Sequence, residues 1–445
     1  MNRNNVRGGA AGGRALAAAS LGNVIEWFDY GVYSFAAITV GTHFFPTSSS
    51  VAAALASFAV FALSFLIRPI GGIIIGSLGD RRGRRDMLML TVGLMTLGTA
   101  LIGLLPTYSE IGVAAPVLLV VARMIQGFSA GGEYGGANTF VAEVAPSGRR
   151  GLFGSVLESG VLFGYLSGAA IVIGLMHVLS ADAWKAWGWR LPFLIALPLG
   201  LLAVALRRNL EDSPVFKKMK ASGEQVASPL ADSFRRAARP MFLTAALVAF
   251  GNSAYYLILA YLPTYLQTDL KMSGDAALML SVLVMVTMLV AIPIFGRLGD
   301  RIGRRVLLAA SPLIYLVFSV PMVMMLQSGN QTYVFAAAIL AGLALAPNAS
   351  QYSAALTVLF PRSVRFTAFT LAFNVATALF GGTAPFIVGW LTQATGSSFT
   401  IAYYQMAMAV LALVGVSMMP ETKSLTADHD AVMGNESLET AVAER

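Results

Sequence analysis

The sequence predicts an all-α integral membrane protein with twelve transmembrane helices in two six-helix bundles and both termini in the cytoplasm. Three observations lead there. The 445-residue chain is 57% hydrophobic and only 12% charged, and its apolar runs are long enough to cross a bilayer as helices. The stretch GSLGDRRGRR at Gly76–Arg85 also returns about half a chain later as GRLGDRIGRR at Gly296–Arg305, which indicates a duplicated bundle.

The apolar runs define the predicted domains. They cover residues 15–42, 50–78, 87–106, 114–142, 150–177, 187–206, 240–267, 274–296, 306–327, 331–358, 364–392 and 397–419. We therefore expect an N-terminal six-helix bundle over 1–206, a basic cytoplasmic linker over 207–239, a C-terminal six-helix bundle over 240–420 and a cytoplasmic tail over 421–445.

The basic residues predict the orientation. Most of the 30 lysine and arginine residues fall in segments that share a side with the N-terminus, and such segments stay in the cytoplasm. The net charge of +8 lies in these loops, so it does not indicate nucleic-acid binding. We expect a multi-pass protein of the plasma (inner) membrane that contacts the lipid bilayer.

The two arginine turns are predicted to form a cytoplasmic gate. Glycine allows a tight reversal of the chain, and an aspartate can cap a helix or pair with arginine. A salt bridge from Glu143, at the end of the fourth span, to the first turn is expected, although Glu143 could equally be a solvated rim charge. The predicted gate residues are Asp80, Arg81, Arg84, Arg85, Glu143, Asp300, Arg301 and Arg304.

Three acidic residues are candidates for proton coupling. Glu26 and Asp29 share a face of the first span with Tyr33, and Glu133 lies near the middle of the fourth span. A carboxylate inside a membrane is costly unless it faces an aqueous cavity or a partner. We expect these three acids at one depth, where burial and like charge favour proton uptake. Structural pairing with an arginine is the alternative.

Two intramembrane arginines are candidate ligands for an anionic group. Arg68 either anchors the fold, in a buried pair with Glu158 of the fifth span, or binds solute. Arg123 either pairs with the first span or receives the anion, with Gln126 one turn away. The stripe Gly127, Gly131, Gly135 indicates close helix packing only.

The second half has no charged residue inside a predicted span. Its neutral polar groups and tyrosines are candidates for binding the solute. The predicted solute-binding residues are Arg68, Arg123, Tyr33, Gln126, Asn252, Tyr256, Asn348, Gln351 and Asn374.

The composition argues against an enzyme. There is no cysteine, and the three histidines are scattered, so neither a cysteine-based nor a histidine-cluster metal site is expected. No nucleophile–base pair and no phosphate-binding loop is visible. We expect no cofactor and no metal.

The motifs resemble a known family. The two arginine turns and RMIQGFSAGG are similar to motifs of the major facilitator superfamily. The stretches GNVIEWFDYGVYSF, FLIRPIGG, GGEYGG, WGWRLPF and LRRNLEDSPVF resemble the metabolite:proton symporter family within it. The seventh-span string NSAYYLILAYLPTYL is most similar to that of the proline/glycine-betaine proton symporters.

The resemblance implies a major facilitator fold and a proton-coupled symporter that imports a small carboxylate-bearing solute. A zwitterionic osmolyte such as proline or glycine betaine is favoured. An α-ketoglutarate or citrate-type organic acid symporter, a proton-antiporting drug exporter and a transporter-like receptor are the alternatives. The expected partners are the solute, protons and lipid, with the chain acting as a monomer. The chain lacks the heptads of a long C-terminal coiled coil, so osmotic gating is not expected.

Overall fold

A computed structural model describes residues 24–46, 49–82, 84–146, 148–207, 229–361 and 364–423. Within these ranges the regular secondary structure is helical throughout. Prediction and structure therefore agree that the fold class is all-α.

The helices before the linker are numbered in chain order. They are α1 over 24–35, α2 Ala37–Phe44, α3 Ser50–Leu66, α4 Arg68–Arg82, α5 Arg84–Leu104, α6 Tyr108–Ile111, α7 Ala114–Ala130, α8 Glu133–Val144, α9 Arg150–Val178, α10 Ala181–Ala186 and α11 Leu191–Arg207.

The helices after the linker continue the numbering. They are α12 Pro229–Tyr256, α13 Leu262–Thr268, α14 Gly274–Ile302, α15 Arg304–Leu326, α16 Gln331–Ala349, α17 Tyr352–Ala355, α18 Arg365–Ala376, α19 Ala384–Thr395 and α20 Phe399–Met418. Two π-helical turns, Leu257–Tyr261 and Thr377–Gly382, join α12 to α13 and α18 to α19.

Ten of the described helical segments are long and apolar enough to cross a membrane. They are Ser50–Ile75, Ala114–Gly135, Arg150–Val178, Gly188–Ala205, Ser233–Thr268, Gly274–Ile302, Arg304–Leu326, Gln331–Leu359, Arg365–Thr395 and Phe399–Met418. Each coincides with one of the predicted spans. The shorter apolar helix Met89–Leu104 and the pair α1–α2 lie where the third and first spans are predicted.

Several spans are interrupted, and the interruptions carry the polar residues of interest. The second span breaks at Ile67, directly before Arg68 and Pro69; Pro69 has no N–H to donate to the Phe65 carbonyl oxygen four residues earlier. The fourth span breaks at Gly131–Gly132, and Glu133 begins the next helix. Arg68 and Glu133 therefore both lie in the first turn of a helix inside the membrane-crossing region.

Glycines bring the second and fourth spans into backbone contact. A Cβ atom built on Gly127 would lie 1.7 Å from the Ser64 carbonyl oxygen, and one on Gly131 would lie 2.1 Å from that of Arg68. Gly71, in the opposite helix, is equally close to Phe128. The predicted packing role of the glycine stripe is confirmed, and this close approach positions Arg68 beside the fourth span.

Helices from the two halves of the sequence pack directly on one another. Helix α9 lies along α14, and α18 contacts both α4 and α8. The π-helical turn Thr377–Gly382 contacts α3. At Gly135 the glycine stripe reaches this boundary, since a Cβ there would lie 2.0 Å from Thr370 Oγ1. Residues of both halves can therefore contribute to one buried site.

The close approach at Gly127 is a test of the packing. Gly127→Ala should lower the free energy of unfolding by about 1–3 kcal/mol, because the added methyl group overpacks the contact with Ser64. Gly174→Ala is the matched control, since a Cβ at Gly174 meets nothing within 4 Å. Thermal unfolding midpoints in detergent should fall for the first variant and stay unchanged or rise for the second; equal midpoints would contradict the packing argument.

Candidate functional site

Asp29 lies at the centre of a buried hydrogen-bonded network. Arg123 Nη1 lies 2.9 Å from Asp29 Oδ2 in an ion pair, and Gln126 Nε2 donates to Asp29 Oδ1 at 2.9 Å. Arg123 Nη1 also donates to Gln126 Oε1 at 2.8 Å, and Gln126 Nε2 donates to Thr99 Oγ1 at 2.8 Å. The network connects α1, α5 and α7, and all four side chains are buried.

Arg123 is held against an aromatic face but keeps unused donors. Its guanidinium carbon lies 3.5 Å from the centroid of the Tyr33 ring, a cation–π contact. Tyr33 in turn donates its hydroxyl to the Ser57 carbonyl oxygen at 3.0 Å. Among the described residues, Arg123 Nε and Nη2 have no hydrogen-bond partner. A buried guanidinium with two free donors is suited to receive an anionic group.

A second buried ion pair joins Arg68 to Glu26. Arg68 lies at the start of α4, with its guanidinium carbon 4.8 Å from the Phe65 ring centroid and 5.4 Å from that of Tyr30. Both partners are about 1–2% exposed. The alternative of structural pairing with arginine, left open for the two acids of the first span, is the arrangement that the structure has.

The expected pair between Arg68 and Glu158 is wrong. Glu158 Oε2 instead accepts a hydrogen bond from the Tyr134 hydroxyl at 2.9 Å. Similar depth in the membrane does not determine which faces of two helices meet. Helix α9 packs on α8 and α14, whereas the glycine contacts hold Arg68 beside α7, and its pair with Glu26 reaches α1.

Glu133 is buried and begins α8 beyond the Gly131–Gly132 break. It lies ten residues after Arg123 along the fourth span, or about 15 Å at the helical rise. The two acids of the first span are each neutralised by an arginine. The predicted like-charge repulsion among the three acids is therefore reduced, because two of them have an arginine counter-charge. The role of Glu133 in proton coupling stays a prediction.

The second half contributes aromatic rings and an amide to the same region. Tyr256 stacks on Trp27 with ring centroids 6.0 Å apart and meets Phe65 edge-on at 5.0 Å. One turn earlier, Asn252 Nδ2 donates to Thr377 Oγ1 at 2.6 Å. Tyr256 and Asn252 thus lie where α12 and the π-helical turn Thr377–Gly382 meet the aromatic groups around Arg68.

Asn374 forms a hydrogen bond between the two halves of the chain. Its Nδ2 donates to the Gly131 carbonyl oxygen at 2.6 Å, at the point where the helix break in the fourth span leaves backbone groups to be satisfied. This contact makes Asn374 a direct neighbour of the break that precedes Glu133.

Asn348 and Gln351 lie in a different setting. The Nδ2 and Oδ1 atoms of Asn348 are buried without a hydrogen-bond partner among the described residues. Gln351 Nε2 donates to the Phe295 carbonyl oxygen at 3.1 Å and lies beside Gly299 of the second arginine turn. The structure therefore brings Gln351 to that turn, while its predicted role in solute binding stays a prediction.

Asp300 of the second arginine turn caps the N-terminus of helix α9. Asp300 Oδ1 accepts from the Gly151 backbone N–H at 2.8 Å, and Oδ2 accepts from that of Leu152 at 3.0 Å. Anionic groups are favourable at helix N-termini, where backbone N–H groups lack partners. Arg304 lies 3.6 Å from the same carboxylate and donates to the carbonyl oxygens of Ala354 and Thr422.

Arg301 accepts a hydrogen bond at its carbonyl oxygen from Lys423 Nζ. The side chains of Asp80, Arg81, Arg84, Arg85 and Glu143 lie outside the described part of the structure, and so does the predicted salt bridge from Glu143. That an aspartate of these turns can cap a helix was predicted, but the contact of Asp300 with α9 in particular was not. Its signal in the sequence is the aspartate of the repeated turn combined with the arginine-flanked start of the fifth span.

Three neighbours of these polar groups were not predicted from the sequence. Trp27, Thr99 and Tyr134 each contact a predicted site residue or a buried acid. Trp27 lies within the first-span motif and Tyr134 follows Glu133, so position in a motif was an available signal. Thr99 offered none, because a threonine in an apolar helix usually bonds its own backbone.

Buried ion pairs inside membrane-crossing helices are typical of proteins that move solutes or protons, and the fold and site define that class here. The sequence profile described as "Sugar (and other) transporter" matches residues 15–232 and again residues 216–433. The chain belongs to this family. It is a multi-pass membrane transporter of small solutes and not an enzyme.

Relatives of known name are similar over most of their length. The chain is 38% identical to the glycine betaine/proline/ectoine/pipecolic acid transporter OusA of Dickeya dadantii, covering 92% of this chain and 83% of that protein. It is 37% identical to the proline/betaine transporter of Escherichia coli K12, over 92% and 83%. A putative proline/betaine transporter of Staphylococcus aureus strain COL is 36% identical, over 91% and 88%. The resemblance to the proline/betaine symporters is confirmed.

Solved structures define the fold. The proton:xylose symporter XylE bound to 6-bromo-6-deoxy-D-glucose, a major facilitator superfamily protein, matches with a TM-score of 0.76 at 19% identity, covering 96% of this chain and 98% of that one. A partially occluded inward-open form of XylE from E. coli matches with a TM-score of 0.73 at 20% identity, covering 92% and 98%. The predicted major facilitator fold is confirmed.

The Arg68–Glu26 pair can be tested by a double-mutant cycle. Arg68→Met should cost about 3–5 kcal/mol of stability, because it removes the arginine counter-charge of the buried Glu26 carboxylate. Adding Glu26→Leu should restore most of that loss. Thermal unfolding in detergent measures both. If the double variant is as unstable as the sum of the two single variants, the two side chains are not coupled.

Proposed function

We propose that the chain is a proton-coupled symporter that imports a zwitterionic osmolyte, such as proline or glycine betaine, across the plasma membrane. The observation that carries the proposal is the Asp29–Arg123 pair, in which a buried guanidinium keeps two free donors. The names of the relatives, which are proline and betaine transporters, support the choice of solute.

The Asp29 carboxylate and the solute carboxylate compete for the same guanidinium. While Asp29 is ionised, its negative charge neutralises Arg123, although two guanidinium nitrogens have no hydrogen-bond partner among the described residues. A proton on Asp29 removes that charge and leaves Arg123 to pair with the carboxylate of the solute in a bidentate arrangement. Solute binding and protonation then favour one another, which is the thermodynamic requirement for symport. Glu26, paired with Arg68, and Glu133 are the other proposed proton-coupling acids.

The ammonium end of the solute needs a different environment. Aromatic faces attract a quaternary or secondary ammonium group. Tyr256 and Trp27 form such a face at the boundary between the two halves, next to the Arg68 pair. Asn252, Asn348, Gln351 and Asn374 are proposed to complete the solute contacts from the second half, with Tyr33 and Gln126 holding Arg123 in place from the first.

The moving parts are proposed to be two six-helix bundles, 1–206 and 240–420, joined by the cytoplasmic linker 207–239, with both termini and the tail 421–445 in the cytoplasm. The double match of the family profile and the repeated arginine turn support this division. The bundles rock about the central site. Contacts such as Asp300 with the start of α9 hold the cytoplasmic side closed. One chain supplies both sides of the site, so a monomer suffices.

An organic acid symporter is the second candidate. Two buried arginines at the site, Arg68 and Arg123, both with donors unused among the described residues, would suit a solute with two carboxylates. The choice between the candidates is experimental.

Uptake by purified protein in proteoliposomes tests the proposed function. Labelled proline should accumulate when the outside is made more acidic than the inside, because proton entry drives symport. A protonophore should abolish the accumulation, and protein-free liposomes should show none. Excess glycine betaine should compete and α-ketoglutarate should not. The opposite competition pattern would favour the organic acid symporter, and no proton-driven uptake of either solute would reject both.

Asp29→Asn and Glu133→Gln test the proton-coupling acids one at a time. Either variant should reduce proton-driven uptake to background, since an amide cannot take up a proton, while the protein stays folded. Asp182→Asn, an exposed acid, is the matched control and should transport normally. Unchanged uptake with unchanged pH dependence would remove the substituted residue from the mechanism.

A further inference from the structure

Glu158 is a buried carboxyl group that the proposed mechanism does not use. It lies in the first third of α9 and is 7% exposed. Its Oε2 atom accepts from the Tyr134 hydroxyl at 2.9 Å. The ion pairs between described residues do not include it, whereas Glu26 and Asp29 each have an arginine. A buried carboxylate that has only neutral donors is costly, so the protonated acid is the stable form in this setting.

The groups that face Glu158 are tyrosines from three other helices. Tyr134 belongs to α8, and its ring stacks on Phe373 at 4.4 Å. Tyr255 of α12 and Tyr352 of α17 lie close enough to interact with the carboxyl group electrostatically. Tyr134 belongs to the first half of the chain, and the other two tyrosines belong to the second. The dry environment of Glu158 therefore depends on the two halves being in contact.

The same helix carries the contact that closes this end of the molecule. Gly151 and Leu152, whose N–H groups donate to Asp300, lie six to seven residues before Glu158, or about 10 Å along the helix. Between them, a Cβ built on Gly296 of α14 would lie 2.3 Å from Ser155 Oγ. Separation of α9 from α14 would remove this seal and open a route for water to Glu158. Charged groups among the described residues at that end include Arg150, Asp300 and Arg304.

Glu158 also lies on the cytoplasmic side of the proposed solute site. A Cβ on Gly164 would lie 2.3 Å from the Val24 carbonyl oxygen. Gly164 of α9 and Val24 of α1 therefore lie at the same depth in the membrane. Glu158 is six residues before Gly164, so it lies about 9 Å closer to the Asp300 contact than Val24 does. Glu26 and Asp29 follow Val24 in the opposite direction. A proton that enters at Asp29 must pass this level to reach the cytoplasm.

We propose that Glu158 is a further proton-carrying residue of the transport cycle, and this rests on the proposed function. With the halves in contact, a Glu158 carboxylate oxygen takes a proton from a protonated acid nearer the solute site, and the carboxylic acid stays neutral among the tyrosines. When α9 and α14 separate, the O–H bond breaks, the proton passes to cytoplasmic water, and the carboxylate left behind is solvated. Tyr134 is a positioning residue that orients the carboxyl group.

The experiment compares two modes of transport in proteoliposomes that contain the full chain. Proton-driven accumulation of labelled proline needs net proton movement, whereas exchange of labelled for unlabelled proline does not. Glu158→Gln mimics the protonated acid, so it should keep exchange near the wild-type rate and lose accumulation. Glu158→Asp keeps a carboxyl group and should retain part of both. Asp182→Asn is the control and should retain both in full.

Three results would overturn the proposal. The first is full proton-driven accumulation by Glu158→Gln. The second is loss of both exchange and accumulation in Glu158→Gln although proline still raises its thermal unfolding midpoint. The third concerns Tyr134→Phe, which should keep exchange and shift the pH profile of accumulation; an unchanged profile would contradict the proposal. If the wild-type protein shows neither accumulation nor exchange of proline, the proposed function fails instead.

Discussion

The structure depends on how charge is neutralised inside a membrane. An ionised carboxylate or guanidinium among apolar helices is costly unless it is paired and hydrogen-bonded. Asp29 and Glu26 meet this condition by pairing with Arg123 and Arg68, which draws α1 against α7 and α4. The pairs carry no net charge, so the region can be buried. Any event that neutralises one partner leaves the other in need of a new counter-charge, and that need is what a transporter can use to couple two ligands.

Breaks in two membrane-crossing helices also shape the site. Continuous helices satisfy their own backbone, but the breaks before Arg68 and after Ala130 expose backbone groups near the site. Asn374 of the second half bonds one of them, the Gly131 carbonyl. Glycines at 127 and 131 allow the backbones of α3, α4 and α7 to touch. The polar residues at the breaks thus lie on closely packed helices. The two halves of the chain contact each other at these polar residues.

Much of the fold was predictable because the bilayer restricts the options. Ten predicted spans reappear as apolar helices, since spanning length and hydropathy are local properties. The buried acids and arginines were also singled out from the sequence, because an ionisable residue in an apolar run is conspicuous; their roles in transport stay predictions. Partners were harder to predict. Arg68 was expected beside Glu158 from depth alone, whereas the structure pairs it with Glu26, since the facing of α9 and α4 is set by packing. Asp300 was assigned to a gate with capping as one option, but the helix that it caps, α9, is decided by packing.

The sequence by itself determined the membrane-spanning all-α class, the duplicated arginine turns and the identity of the buried charged groups, because each follows from local composition or from a repeat. The tertiary structure alone decided which acid meets which arginine, that Arg123 keeps free donors, and that Glu158 lies among tyrosines from both halves. These facts depend on how helices far apart in the chain rotate and pack against one another. A local pattern gives the face of a helix that is polar, but the neighbour that the face meets is set by the packing of the whole bundle.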